Sequence, residues 1–222
     1  MSVEAQIKSK LEAGLQAMDL NITLAQIAQL TAYVLLIEKW NKVHNLTAIR
    51  DPLDMVTLHI LDSLSVLKIL VVQQPKTVLD VGAGAGLPSV PLAICLPEVN
   101  FTAIDAVQKK TSFMRQAKAE LGLNNFSVET GRVEQLKKEK FNQGFGVDVI
   151  ISRAFSEVAL FIKLTQKLLA DNGRWFAMKG VVPDEELEKA EFKKLGVLVE
   201  NVAPLFVPAL DAERHLLVLK VN

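Results

Sequence analysis

The fold of this chain is decided by the stretch DVGAGAGLP at residues 80–88, which follows a strand-like run and opens a helical one. Glycine at alternate positions lets a backbone turn tightly against a ligand, an approach that Cβ atoms would block. The dinucleotide fingerprint G-x-G-x-x-G would need glycine at Leu87, so the loop argues against NAD. We therefore expect a nucleotide-like cofactor other than NAD here. The alternative is a tight strand-to-helix turn without a ligand.

Downstream of this loop, short β-branched runs alternate with helical segments. The predicted strands are Thr77–Val81, Phe101–Ala106, Phe126–Glu129, Val147–Ser152 and Arg174–Met178. The predicted helices are Pro88–Leu96, Lys109–Leu121, Ser156–Ala170 and Asp184–Leu195. This alternation predicts an α/β protein with a parallel, doubly wound sheet. The last two strand-like runs, 197–207 and 216–221, have only a loop between them and predict an antiparallel hairpin at the sheet edge.

Upstream, apolar residues recur at helical spacing from the start of the chain to about Gln74. We expect an N-terminal helical extension over 1–74, with a loop from Trp40 to Ile49, and a second domain over 75–222. Asp51 and Pro52 place a cap and a first-turn proline before a long apolar run.

Composition restricts the setting of the protein. The 222 residues contain 25 basic and 25 acidic side chains, so any contact with nucleic acid must come from a local patch. The single cysteine, Cys95, cannot form an internal disulfide, and the N-terminus lacks the apolar stretch of a signal peptide. The apolar run Ile60–Val72 falls short of the ~20 residues that span a bilayer. We expect a soluble, cytoplasmic protein with no membrane contact.

Acidic residues around the glycine loop favour one class of cofactor. Asp80 stands two positions before Gly82, and this spacing with Gly84 and Gly86 is similar to the first motif of adenosylmethionine-dependent methyltransferases. Asp105 closes the second strand about 20 residues after the glycines, where a carboxylate can accept hydrogen bonds from ribose hydroxyls. Taken alone, an Asp at a strand end is more often a helix cap, here for Lys109–Leu121. Together these residues predict S-adenosyl-L-methionine as cofactor and a class I Rossmann-like methyltransferase fold.

Two further strand ends carry candidate site residues. After the third strand, where adenine lies in methyltransferases of this architecture, Val133 and Glu134 are plausible adenine contacts. Arg132 is then free to face substrate, or else pairs with a neighbouring glutamate. After the fourth strand, Arg153 lies over the expected methyl-transfer site. Its guanidinium suits an acceptor-rich edge, such as O6 and N7 of guanine, or a phosphate.

The other polar candidates are less specific. Lys109 and Lys110 open a helix, where cations oppose the helix dipole; they predict a phosphate-facing patch or are simply solvated. His59 and Asp62 are one helical turn apart, and we expect a surface pair rather than a catalytic one. The three histidines are scattered, so no metal site is expected.

With these residues assembled, the sequence resembles the GidB family, ribosomal RNA small subunit methyltransferase G. The resemblance rests on KWNK at 39–42, NLT at 45–47, HILDS at 59–63, DVGAGAGLP at 80–88, RVE at 132–134, ISRAF at 151–155, KG at 179–180, PAL at 208–210 and ERH at 213–215. The family often has proline at the position of Ala85 and arginine at that of Lys110. Neither departure affects the chemistry.

The resemblance implies methyl transfer from adenosylmethionine to N7 of a guanine, guanine 527, in 16S ribosomal RNA. Carried onto this chain, it implies cofactor contacts at Gly82, Leu87, Val133, Glu134 and Arg153. It makes Lys109, Arg132, Lys179 and Arg214 candidates for RNA contact, with Lys110 beside them. The implied partner is 16S ribosomal RNA or the small ribosomal subunit, acted on by a monomer without a metal.

Guanine N7 carries a lone pair and no proton, so the transfer needs orientation rather than a general base. We expect Arg153 to position the reactants. Two other functions stay open: a small-molecule or protein methyltransferase on the same scaffold, which the zero net charge favours, and a non-catalytic nucleotide-binding module. The positioned cations and the family motifs favour RNA. Whether the substrate is naked RNA or an assembled 30S particle is left open by the sequence.

Overall fold

The computed structural model describes residues 1–153, 155, 157–182 and 190–222, and these residues contain one seven-stranded sheet. Its strands are β1 Thr77–Val81, β2 Asn100–Asp105, β3 Phe126–Thr130, β4 Val147–Ser152, β5 Leu169–Lys179, β6 Val197–Pro204 and β7 His215–Val221. Their spatial order is β3-β2-β1-β4-β5-β7-β6. The first five strands are parallel, and β7 runs antiparallel to both of its neighbours. The predicted class I fold with an antiparallel C-terminal hairpin is confirmed.

Helices precede the sheet and connect its strands. They are α1 Val3–Ala17, α2 Leu24–His44, α3 Pro52–Val72, α4 Ser89–Cys95, α5 Gln108–Leu121, α6 Val158–Thr165 and α7 Ala190–Leu195. The first three form the predicted N-terminal helical extension. Their buried apolar side chains belong to the same hydrophobic cluster as side chains of β1, β2 and β4. The division at residue 74 therefore stays a prediction. The first half of the predicted helix Asp184–Leu195, residues 184–189, lies outside the described residues.

Helix α2 is longer than expected at its C-terminal end. It begins at a capping box formed by Thr23 and Gln26 and ends where Asn45 adopts left-handed backbone angles. The predicted loop start at Trp40 is therefore wrong. The buried amide of Asn41 explains the difference, because it donates to the Ile49 carbonyl and accepts from the Thr47 amide while remaining helical. This side chain ties the following loop back onto α2.

Helix α3 lies in the core of the protein. It is capped by Asp51 as expected, and its Val56–Leu61 segment is π-helical. Among the described residues, it is the one helix that is long and apolar enough to cross a membrane. It has 21 residues, so it is longer than the apolar run Ile60–Val72 considered in the sequence. Because 67% of its most apolar window is buried inside the protein, it has the character of a core helix.

The predicted boundary between α6 and β5 is wrong. Helix α6 ends at Thr165, a 3₁₀ turn follows, and β5 begins at Leu169 rather than at Arg174. The pairing with β4 jumps from Leu169 opposite Val147 to Arg174 opposite Val149, so β5 carries an irregular insertion. A Cβ at Gly173 would lie 2.9 Å from the Val147 carbonyl oxygen. Gly173 thus permits a close strand approach and lies inside β5, whereas the predicted strand begins only at Arg174.

The glycine loop begins where β1 ends. Its three glycines all have positive φ, between 62° and 86°, and the Gly82 amide donates to the Ile104 carbonyl at 2.9 Å. Gly86 faces a crowded site, since a Cβ there would lie 2.6 Å from Cγ2 of Val90. Both backbone angle and space therefore require glycine at this position.

We predict that Gly86→Ala lowers the free energy of unfolding by about 2–4 kcal/mol, since left-handed strain and overpacking at Val90 add. Gly122→Ala is the matched control: Gly122 has φ +66° and no atom within 4 Å of the added Cβ. It should lose only the strain, about 1 kcal/mol. Urea denaturation of both variants measures the difference, and equal losses would show that the Val90 contact is unimportant.

Candidate active site

Three adjoining cavities lie at the carboxyl ends of the parallel strands. The strand-end cavity, ≈ 320 Å³, is lined by Val81, Gly82, Ile104, Asp105, Ala106, Gly131, Arg132, Val133, Glu134, Phe155 and Leu164. The loop cavity, ≈ 280 Å³, is lined by Leu46, Thr47, His59, Gly82, Ala83, Gly84, Ala85, Leu87, Lys110 and Arg153. The basic cavity, ≈ 450 Å³, is lined by Ile49, Leu58, His59, Asp62, Arg153, Met178, Lys179, Gly180 and Arg214. Gly82 is shared by the first two cavities, and His59 with Arg153 by the last two.

In the strand-end cavity the structure brings Asp105, Val133, Glu134 and Arg132 together with Gly82. The Asp105 carboxylate accepts the Gly84 amide at 2.9 Å through Oδ2 and the Val107 amide at 2.8 Å through Oδ1. The helix that follows has Val107 as its N-cap residue and no side-chain cap, so the helix-cap alternative is wrong, and Asp105 lines the cavity while it holds two loop amides.

Asp80 and Gly86 lie outside the linings of the three cavities. The Asp80 carboxylate is buried beneath the loop and accepts the Ser89 amide at the start of α4 at 3.1 Å. Burial raises the pKa of Asp80 to about 6. On the other side of the loop, the buried Tyr33 hydroxyl of α2 donates to the Ala85 carbonyl. These groups shape the loop rather than lining the cavities.

Arg153 stands between the loop cavity and the basic cavity. Its Nη1 donates to the Leu58 carbonyl at 3.1 Å and to Oδ2 of Asp62 at 3.0 Å. The other carboxylate oxygen of Asp62 accepts Nε of Arg214 at 2.8 Å. One buried carboxylate of α3 thus holds two guanidinium groups from distant parts of the chain.

The expected surface pair of His59 and Asp62 is wrong. Both side chains are buried, because α3 packs beneath the strand ends instead of presenting a polar face to solvent. His59 Nε2 lies 2.9 Å from the Thr47 hydroxyl, and its Nδ1 has no partner among the described residues. Burial and the charge of Arg153 lower the pKa of His59 to about 4, so the imidazole is neutral at pH 7.

The predicted basic residues separate into groups. Lys179 and Arg214 line the basic cavity with Arg153, and Lys179 Nζ donates to the Phe155 carbonyl at 3.1 Å. Lys110 lines the loop cavity, 3.7 Å from Asp105, and Arg132 lines the strand-end cavity.

Two of the basic side chains are solvent-exposed. The Arg132 side chain is 74% exposed, and its Nη1 lies 3.7 Å from Glu134 Oε1. The predicted pair with a neighbouring glutamate is therefore present, and the guanidinium is still accessible to a substrate. Lys109 lines none of the three cavities. Its Nζ donates at 3.0 Å to the His44 carbonyl, at the C-terminal end of α2, where a cation is favourable. That contact accounts for a lysine at the start of α5.

Sequence reasoning missed Asp62, Thr47 and Tyr33. The signal for Asp62 was available, because a carboxylate inside an otherwise apolar helix is rarely buried unless a partner neutralises it. Nothing local indicated that its partners would be arginines 91 and 152 residues away.

The sequence of this chain is similar to those of known methyltransferases. The model of a family described as rRNA small subunit methyltransferase G matches residues 26–217. A ribosomal RNA small subunit methyltransferase G from Methylobacillus flagellatus is 53% identical over 213 residues, 96% of this chain and 98% of that protein. The protein of that name from Neisseria meningitidis serogroup C is 46% identical over 96% of this chain and 98% of its own length.

Solved structures share the fold at lower identity. A SAM-dependent methyltransferase from Aquifex aeolicus gives a TM-score of 0.55 at 20% identity, covering 77% of this chain and 99% of that one. The Bacillus subtilis tRNA methyltransferase TrmK gives 0.54 at 15% identity, covering 69% of this chain and 65% of its own. These two similarities show the fold alone.

We predict that His59 makes the protein less stable as the pH falls from 6.5 to 4. The unfolded chain takes up a proton near pH 6.5, whereas the folded imidazole resists protonation down to about pH 4. The loss reaches about 3 kcal/mol at the lower end. Asp80 acts in the opposite direction, because its raised pKa means that the folded state gains a proton first as the pH falls.

The difference between wild type and His59→Gln isolates the histidine, since both proteins contain Asp80. Urea denaturation at pH 7, 6, 5 and 4.5 should show the advantage of wild type over the variant shrinking steadily. A difference that is constant with pH would mean that the buried imidazole is protonated as readily as in the unfolded chain.

Proposed function

The chain belongs to the rRNA small subunit methyltransferase G family, and we propose on that basis that it transfers a methyl group to N7 of guanine 527 in 16S ribosomal RNA. Family membership makes it an S-adenosylmethionine-dependent rRNA methyltransferase. The proposed transfer to an RNA guanine is supported by the continuous series of three cavities. Glycine-loop cavities adjoin a basic cavity across Arg153, which matches a cofactor on one side and an RNA nucleotide on the other.

We assign the cofactor to the strand-end and loop cavities. Asp105 would hold the ribose hydroxyls, and Val133 with Glu134 would contact adenine. The loop offers room for the rest of the cofactor, since a Cβ at Gly84 would meet no atom within 4 Å. Leu87 lines the loop cavity together with Gly84. Asp80 and Gly86 contribute by holding the loop backbone in place.

The bound cofactor supplies an electrophilic methyl group on a sulfonium. The acceptor N7 needs no deprotonation, so the chain's residues bind and orient instead of transferring protons. The neutral His59, with its low pKa, fits this requirement. Arg153 would orient the base through O6, through a phosphate, or through the cofactor carboxylate.

We assign RNA to the basic cavity and its surroundings, through Lys179 and Arg214, with Lys109, Lys110 and Arg132 as further phosphate contacts. Among the described residues, no three His, Cys, Asp or Glu side chains are grouped to hold a metal ion, and we propose a metal-free transfer. We further propose that the enzyme acts as a cytoplasmic monomer.

The cofactor assignment predicts that S-adenosylmethionine or its demethylated product raises the melting temperature, whereas NAD does not. At a ligand concentration of 100 times Kd, the expected stabilisation is ~2.7 kcal/mol. Gly82→Val should abolish the shift, because a branched side chain would enter both cofactor cavities. Gly122→Val, at a similar positive φ outside the three cavities, should retain it. Equal stabilisation by NAD would contradict the assignment.

The acceptor assignment predicts that tritiated methyl transfer disappears when the target guanine is replaced by 7-deazaguanine, which lacks N7. The reaction should be insensitive to EDTA and its chemical step flat with pH from ~6 to 9, since no essential side chain titrates there. The assay should compare 30S subunits, naked 16S RNA and a panel of small molecules and proteins. Methylation of the 7-deaza substrate, or of a panel member alone, would place the acceptor elsewhere.

A further inference from the structure

Asp62 is a buried acidic side chain that the transfer reaction itself does not use. Its side chain is 4% exposed, whereas the two arginine side chains that it contacts are 27% and 28% exposed. Each carboxylate oxygen accepts from a different guanidinium, Arg153 following β4 and Arg214 preceding β7. Two charge-assisted hydrogen bonds offset part of the cost of burying this carboxylate, and they fix both partners relative to each other.

The two arginines keep unused donors. Arg153 uses Nη1 for Leu58 and Asp62, and Arg214 uses Nε and Nη1 for Asp62 and the Glu213 carbonyl. Within the described part of the chain, Nε and Nη2 of Arg153 and Nη2 of Arg214 make no hydrogen bond. These groups belong to residues that line the same ≈ 450 Å³ cavity.

The described residues that line the cavity carry a net positive charge. Arg153 and Arg214 contribute two positive charges and Asp62 one negative charge, a net +1 without counting Lys179, and His59 is neutral. Paired guanidinium groups favour anions with several acceptor oxygens, and a phosphate diester is the anion that an RNA substrate presents.

We propose that Asp62 is a positioning residue that holds Arg153 and Arg214 as a clamp for a backbone phosphate beside the target guanine. This inference rests on the proposed function. Because the arginines are fixed before RNA arrives, they orient the nucleotide without first having to be ordered. The clamp thereby sets the distance between guanine N7 and the cofactor.

Removing the carboxylate has two effects of opposite sign. Asp62→Asn deletes a negative charge next to a phosphate site, and that change alone favours RNA binding. It also replaces one of the two acceptor oxygens by an NH2 group, so that the side chain no longer holds both guanidinium groups, and misplacement of the reacting atoms slows transfer. A positioning role therefore predicts slow transfer together with undiminished RNA affinity, a combination that loss of a phosphate contact does not produce.

The test is single-turnover methylation of 30S subunits or 16S RNA, whichever wild type methylates, at saturating cofactor. For Asp62→Asn we expect at least a tenfold lower rate per folded molecule, with the RNA Kd unchanged or lower and the cofactor Kd within twofold of wild type. For Arg214→Gln we expect a higher RNA Kd and a salt-dependence slope reduced by about 1. In the double variant that combines Asp62→Asn and Arg214→Gln, the loss of rate should be smaller than the product of the two single losses, because both substitutions act on one clamp.

Asp148→Asn is the matched control for a purely structural carboxylate. Asp148 accepts the Lys76 and Thr77 amides and the Thr77 hydroxyl at 2.8–3.0 Å, and it lines none of the three cavities. It should lower the melting temperature while the rate per folded molecule, counted by cofactor titration, stays at the wild-type value.

Any one of three results for Asp62→Asn overturns the proposal: a rate equal to wild type, RNA binding weakened as in Arg214→Gln, or a tenfold rise in the cofactor Kd. The last result would assign the clamp to the cofactor carboxylate. Failure of wild type to methylate guanine N7 would instead overturn the proposed function, so the two failures are distinguishable.

Discussion

The cost of burying one carboxylate shapes the active-site side of this protein. Asp62 lies in a core helix with only 4% of its side chain exposed, and two guanidinium groups supply the hydrogen bonds that water would otherwise make. Those groups come from the end of β4 and from the segment before β7. Satisfying a single charge therefore joins the helical extension, the parallel half of the sheet and its antiparallel edge. The wall between two of the three cavities is formed at this junction.

Much of the architecture could be predicted because its signals are local. The bounds of β1 and β4 agree with the structure, and the glycine loop lies between β1 and α4 as expected. The predicted start of β5 at Arg174 is wrong because the close approach of Gly173 to Val147 depends on the partner strand and leaves no local signal. Tertiary contact overrides propensity in such a segment.

In the site, too, residues with a local signal could be predicted and residues placed by tertiary contacts could not. Residues that follow strand ends, such as Asp105 and Arg153, could be predicted from chain position, since parallel strands bring those ends to one edge. His59 and Asp62 were misassigned because a helical turn was assumed to face solvent, and a π-helical, buried segment cannot be inferred from i, i+3 spacing. The dipole argument correctly marked Lys109 as unusual, yet its partner is a carbonyl at the end of α2, 65 residues upstream.

Tyr33 connects the helical extension to the tip of the glycine loop, through its hydrogen bond to the Ala85 carbonyl. The hydroxyl is fully buried, so local opening of α2 would leave a loop carbonyl without its partner. Local unfolding of the extension and loss of loop shape are then one cooperative event. Ligand binding on the loop should consequently slow amide hydrogen exchange in a helix about fifty residues upstream, so that the extension and the cofactor loop form one thermodynamic unit despite their separation in sequence.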